Sequence, residues 1–213
     1  SGAMGTDSSG NSNTFSVANG TLRQVDDSPT NVFCTLSSIN NSGSLLYGNL
    51  YYSYGSSWSN GVLGTQSFSA GKWYWEARLG GNYWFIGIQD VDSEQTNNTA
   101  DGAYRWTYAQ NAKKYNNTTY EDYGATYAVN DIISVAYDAD NGSLTFYKNG
   151  ASQGVAYSSL NTSKRYAPFL NCYASNLNLN FGQNGTFNGT VTAQGNADGN
   201  GKGDFYYAPP TGF

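Results

Sequence analysis

Residues 131–150, DIISVAYDADNGSLTFYKNG, leave this chain little choice of local structure. Ile132, Ser134 and Ala136 alternate with Ile133, Val135 and Tyr137, and beyond them Leu144 and Phe146 alternate with Thr145 and Tyr147. Two period-2 runs on either side of an Asp/Asn/Gly cluster predict a β-hairpin. Asn141-Gly142 accepts a positive φ at low steric cost, which makes it the turn centre. Lys148-Asn149-Gly150 predicts a second turn at the end of the second strand.

The rest of the chain has the same habit. Gly (26 residues), Tyr (19) and a charged fraction of only 12% match many short strands joined by turns, and no stretch sustains a 3.6-residue period. Composition therefore predicts an all-β fold, sandwich or barrel. Strands are predicted at 14–22, 33–39, 45–54, 72–79, 83–89, 104–108, 113–115, 153–157, 166–174 and 177–181, with a loop over 55–63. In the run KWYWEARL, Trp73, Trp75, Ala77 and Leu79 fall on one face and are read as core. Tyr74, Glu76 and Arg78 fall on the other face, exposed or under another sheet. Residues 1–4 read as a cloning remnant within a disordered segment 1–13. Residues 14–187 read as the domain, and 188–213 as an irregular Gly/Asn-rich flank that ends with Pro209-Pro210.

Several kinds of chemistry are disfavoured. Net charge is −5 and the ten Lys and Arg are scattered, so no basic face for nucleic acid is expected. No run approaches ~18 apolar residues, so no membrane insertion is expected. His is absent, which removes the commonest general base and metal ligand. Cys34 and Cys172 allow one disulfide, though two buried free thiols are the preferred reading; no Cys/His cluster exists for zinc. A glycosidase needs two carboxylates about 5–9.5 Å apart. Glu76 stands without an acidic strand partner, Asp138 and Asp140 are turn residues, and Glu121-Asp122 point to opposite faces. No nucleophile elbow and no phosphate loop appear, so neither catalysis nor a cofactor is expected. Asn196, Asp198, Asn200 and Asp204 match the start of an EF-type calcium loop, but the twelfth position is Tyr207 and a plain turn is the preferred reading.

Three blocks in series resemble the SPRY (B30.2) domain: GKWYWEARL with downstream FIGI, NDIISVAYDADNGSLTFYKNG followed by GVAY, and YAPFLNCYASNLNLNFGQNGTF. Together they span about 15–187. The resemblance implies a concanavalin A-like jelly-roll sandwich of two antiparallel sheets. It also implies a non-enzymatic recognition module that binds through loops at one edge. The ending GKGDFYYAPPTGF resembles the C-terminal flank of SPRY-like regions in tailed-phage and other viral structural proteins, which implies a place in a virion.

Aromatic side chains in loop-rich stretches are the candidate ligand contacts, since Tyr and Trp offer rigid area with a polar tip. They are Trp58, Tyr104, Trp106, Tyr120 and Tyr123, with Arg105 as a charged donor beside the rings. The alternative is that these residues cap the sandwich ends. The partner is then a host-surface glycan or protein; a decoration role, contacting other virion proteins, is the second reading. Homo-oligomerisation of the full-length protein stays open.

Overall fold

In the computed structural model the described residues are 7, 9–13, 32–39, 41, 43–58, 61–81, 83–93 and 103–213, with backbone alone at 56–58. The chain forms two compact units, Ser1–Val32 and Phe33–Phe213. In the first, the Asp7 carboxylate accepts the amide N–H groups of Ser9 and Asn13. The strand predicted at 14–22 lies outside the described residues.

The second unit carries twelve strands among the described residues and no helix. They are β1 (Ser44–Leu46), β2 (Tyr51–Trp58), β3 (Val62–Leu63), β4 (Lys72–Leu79), β5 (Trp84–Asp90), β6 (Arg105–Ala109), β7 (Lys113–Asn116), β8 (Thr119–Asp122), β9 (Ile132–Asp138), β10 (Ser143–Lys148), β11 (Ala151–Tyr157) and β12 (Tyr166–Asn180). All pairings are antiparallel, on a path β11-β10-β9-β4-β12-β5-β6-β7-β8. β12 is the fold's hinge line. Its first half, Tyr166–Cys172, pairs with β5 and β3. Its second half pairs with β4 and β2. Between the halves the register slips at Tyr173/Ser175, and Ala174 takes a φ of 44°. This bulge bends one strand from the first sheet into the second. The two sheets then pack face to face: Tyr108 of β6 lies 5.4 Å from Phe146 of β10, ring to ring.

The hairpin forms as the sequence predicts, Ser143 opposite Asp138 through Lys148 opposite Ile133. The Asp138 carboxylate accepts from Asn141 N–H and Nδ2, and Gly142 has a φ of 61°. Elsewhere the elements differ. Residues 33–39 form no strand; they contribute the single bridge Leu36–Gly64. The run 45–54 breaks into β1 and β2 at a turn where Tyr47, Gly48 and Asn49 all have positive φ. Trp58 ends strand β2 instead of sitting in a loop. Residues 119–122, where the sequence predicts no strand, are the edge strand β8. Cross-strand pairs Lys113–Asp122 and Lys114–Glu121 hold it, despite the low strand propensity of acidic residues.

Strand β9 is buried at every residue, which period-2 alternation does not anticipate. Its Ser134 lies opposite Glu76 of β4, and on the outer face of β4 the C-terminal flank, irregular in structure, is packed. Glu76, fully buried, ties it down. Its carboxylate accepts the N–H groups of Tyr206 and Tyr207 (2.8 Å each), Asn180 Nδ2 (3.0 Å) and the Tyr74 hydroxyl (3.1 Å). Asn180 Oδ1 accepts the amides of Gly182 and Asn184, and the Phe205 ring meets that of Tyr74 at 5.1 Å. The second face of β4 is thus covered by residues 204–207, not by another sheet.

Candidate functional site

The structure disperses the aromatic set chosen from the sequence. Tyr120 is 60% exposed on β8, with the Lys113 ammonium 4.8 Å from its ring centre. Tyr123 turns inward: its hydroxyl donates to the Gly154 carbonyl and its ring packs on Tyr108 and Phe146. Arg105 is buried, 3% exposed; Nε donates to Gln89 and the guanidinium lies 4.4 Å over the Phe169 ring. It therefore offers no donor to solvent. Trp58 stands opposite Tyr173 in the register of β2 and β12. Trp106 and Tyr104 lie at the start of β6 and just before it, toward one end of the sandwich.

That end carries a recess. Phe68 bridges Tyr166 at the start of β12, Tyr166 pairs with Asp90, and Asp90 N–H donates to the Tyr104 carbonyl. Trp106 meets Tyr166 edge-on at 5.3 Å, and so does Tyr137 at 5.5 Å. Trp73 stands opposite Tyr137 in β4/β9 register. These aromatics close the core where the two sheets open out.

Trp73 is the residue the sequence misplaced. Trp75, Ala77 and Leu79 on its face are buried as expected, but Trp73 is 37% exposed. Its ring is stacked on Phe68, centroids 3.8 Å apart and planes 9° from parallel. The indole N–H is already spent on the Ala70 carbonyl, 2.8 Å away. Gln66, Ser67, Phe68, Ser69, Ala70 and Trp73 line an open depression of 380 Å³, within the range of small-ligand sites. The loop over residues 65–71, not the opposite sheet, receives the ring. The face of a strand residue is legible from period 2; how far the facing sheet extends is not.

The charges around this end are matched. Lys72 pairs with Asp138 (3.6 Å), Lys164 with Asp90 (3.7 Å) and Arg165 with Asp92 (2.6 Å). The Arg165 guanidinium holds the Asp92 carboxyl below its ordinary value. Asp140 accepts the Gly71 amide at 2.8 Å, pinning the hairpin turn to the loop before β4.

The other predicted residues have structural partners. Asp198 accepts the amides of Asn200 and Lys202, and Asp204 Oδ1 accepts the Gly195 amide. Asn196 bridges Phe205 through its backbone. No group of three or more His, Cys, Asp or Glu gathers as a metal site among the described residues. Cys34 and Cys172 are separate buried thiols, and burial pushes the Cys34 thiol up.

Comparison with known proteins fits this architecture. The probable ATP-dependent RNA helicase ddx1 of Dictyostelium discoideum is 26% identical over 122 residues, covering 57% of this chain and 16% of the helicase. The ATP-dependent RNA helicase DDX1 of Xenopus laevis is 26% identical over 129 residues, 58% of this chain and 17% of the helicase. This chain thus spans about a sixth of the length of those relatives. The crystal structure of the SPRY domain of human HERC1 superposes with a TM-score of 0.57 at 14% identity, covering 68% of this chain and 96% of that one. The family model for the SPRY domain, whose members are typically protein-interaction modules, matches residues 72–184. That match takes in more than half of the 213 residues, and the chain belongs to the SPRY family.

Proposed function

We propose that this chain is a non-catalytic recognition module that holds its partner at the sandwich end built around Trp73. The observation that carries the reading is the exposure of Trp73 over an open depression, on a strand whose other inward residues are sealed. A large aromatic left partly in water on a rigid strand is the usual anchor of a binding surface. The carboxylates that would serve a hydrolase are engaged in structure, Glu76 under the flank and Asp138 in the hairpin turn. The partner is a host-surface glycan or protein and the setting a virion; the resemblance of GKGDFYYAPPTGF to phage-protein flanks supports that setting. An assembly role is the second reading, favoured by β8, an edge strand exposed at all four residues. Saturable binding of the labelled chain to host cells, abolished by Trp73→Ala with the fold intact, supports recognition. Self-association or binding to virion proteins, unaffected by Trp73→Ala, supports assembly instead.

A further inference from the structure

We infer that the depression at Trp73 takes a neutral saccharide. This inference rests on the recognition reading above and names its ligand class. The first argument is the lining. Among the described residues no charged side chain borders the recess, which is lined by Gln66, Ser67, Phe68, Ser69, Ala70 and Trp73. An arginine, a lysine, a phosphate or an acidic sugar would enter without a counter-charge, at a desolvation cost that nothing there offsets.

The second argument is the polar inventory. Ser67 and Ser69 are exposed, and among the described residues neither hydroxyl is engaged by another group. A purely apolar partner would cover those hydroxyls and leave them unsatisfied. A hydroxyl-rich ligand satisfies them, since each serine both donates and accepts.

The third argument is the indole. Because its N–H is bonded to Ala70 and its ring is backed by Phe68, Trp73 is fixed in position and offers a surface without polar demands. A rigid aromatic beside solvent-exposed hydroxyls suits a pyranose, which has an apolar C–H face and a polar rim. Pre-organisation of the ring reduces the ordering cost of binding.

The surrounding charges sharpen the class. Lys72, Lys164 and Arg165 are each paired with an aspartate, and Asp140 adds a further carboxylate beside Gly71. Among the described residues, then, this end shows no spare positive charge to attract sialylated or sulfated chains.

The test uses the whole chain against neutral oligosaccharides (glucans, mannans, galactans and N-acetylglucosamine oligomers), with sialylated and sulfated glycans and host-surface proteins in parallel. The expected result is saturable binding to a neutral member. Trp73→Ala should weaken it at least about thirtyfold, as truncation of an interface anchor does. Because Trp73→Ala also removes a ring stack, the surface variant Ser67→Ala/Ser69→Ala provides a check with no core residue changed; about three- to tenfold weakening is expected. Binding only to acidic glycans or only to proteins overturns the saccharide class while leaving recognition standing. No binding to any host cell, glycan or protein overturns both. Neutral-sugar binding that neither variant moves overturns the site.

Discussion

Removing the Glu76 carboxylate is the sharpest perturbation of the fold. It accepts four hydrogen bonds inside a fully buried site, two of them from the backbone of the C-terminal flank. A donor left buried without a partner costs about 1–3 kcal/mol. In Glu76→Ala all four donors lose their acceptor, and loosening of the flank lets water reach some of them. Relief of carboxylate desolvation offsets part of the loss. We expect a net cost of about 3 kcal/mol, as from one or two donors left unpaired at about 1–3 kcal/mol each. That corresponds to a drop in Tm of roughly 6–12 °C for a unit of this size. Glu76→Gln keeps the volume and one acceptor but points an amide donor at a backbone donor, and should cost about half as much. Urea denaturation gives the energies, and limited proteolysis should cut the flank early, within residues 189–203. A loss under about 1 kcal/mol in Glu76→Ala, with the flank still protected, refutes the reasoning. The pH dependence has a definite sign. Burial pushes the Glu76 carboxyl above its ordinary value of 4.5 and outweighs the hydrogen bonds that pull it down. The folded chain then holds the proton more tightly than the unfolded chain. Stability from this group is full below 4.5 and is lost as pH rises through the elevated folded value. The Tm gap between wild type and Glu76→Gln should narrow as pH climbs; a gap that widens contradicts the sign.

Three further outcomes are expected. Trp75→Ala should cost about 3–5 kcal/mol as a fully buried side chain, and Trp73→Ala clearly less, in the same thermal melts. Gly142→Ala should cost about 1–3 kcal/mol, because φ is 61° and a Cβ would sit 2.3 Å from the Leu160 carbonyl oxygen; calorimetry reads it directly. Cys34, buried with its thiol pushed up, should react with a thiol reagent at neutral pH only at the rate of unfolding, followed by absorbance.

The hairpin of β9 and β10 was legible because its signal is local: alternation on both sides of Asn141-Gly142, with Asp138 placed to cap the turn. The family was legible because three such blocks occur in order. Structure set by distant residues was not. The seal over Glu76 comes from amides some 130 positions away, so period 2 alone left that face open to water or a sheet. The single long β12 looked like two strands because the bulge at Ala174 breaks the alternation without ending the hydrogen bonding. Arg105 reads from the sequence as a charged donor beside the rings, because the Phe169 ring and Gln89 that receive it lie on other strands. Trp73 was read as core because its face was correct and its depth was unknown.

The most direct measurement is hydrogen exchange of the backbone amides with and without the saccharide or host-surface protein that the chain binds. The account predicts added protection confined to 66–73 and the adjoining turn at 139–142. Protection at β8, with 66–73 unchanged, would contradict it.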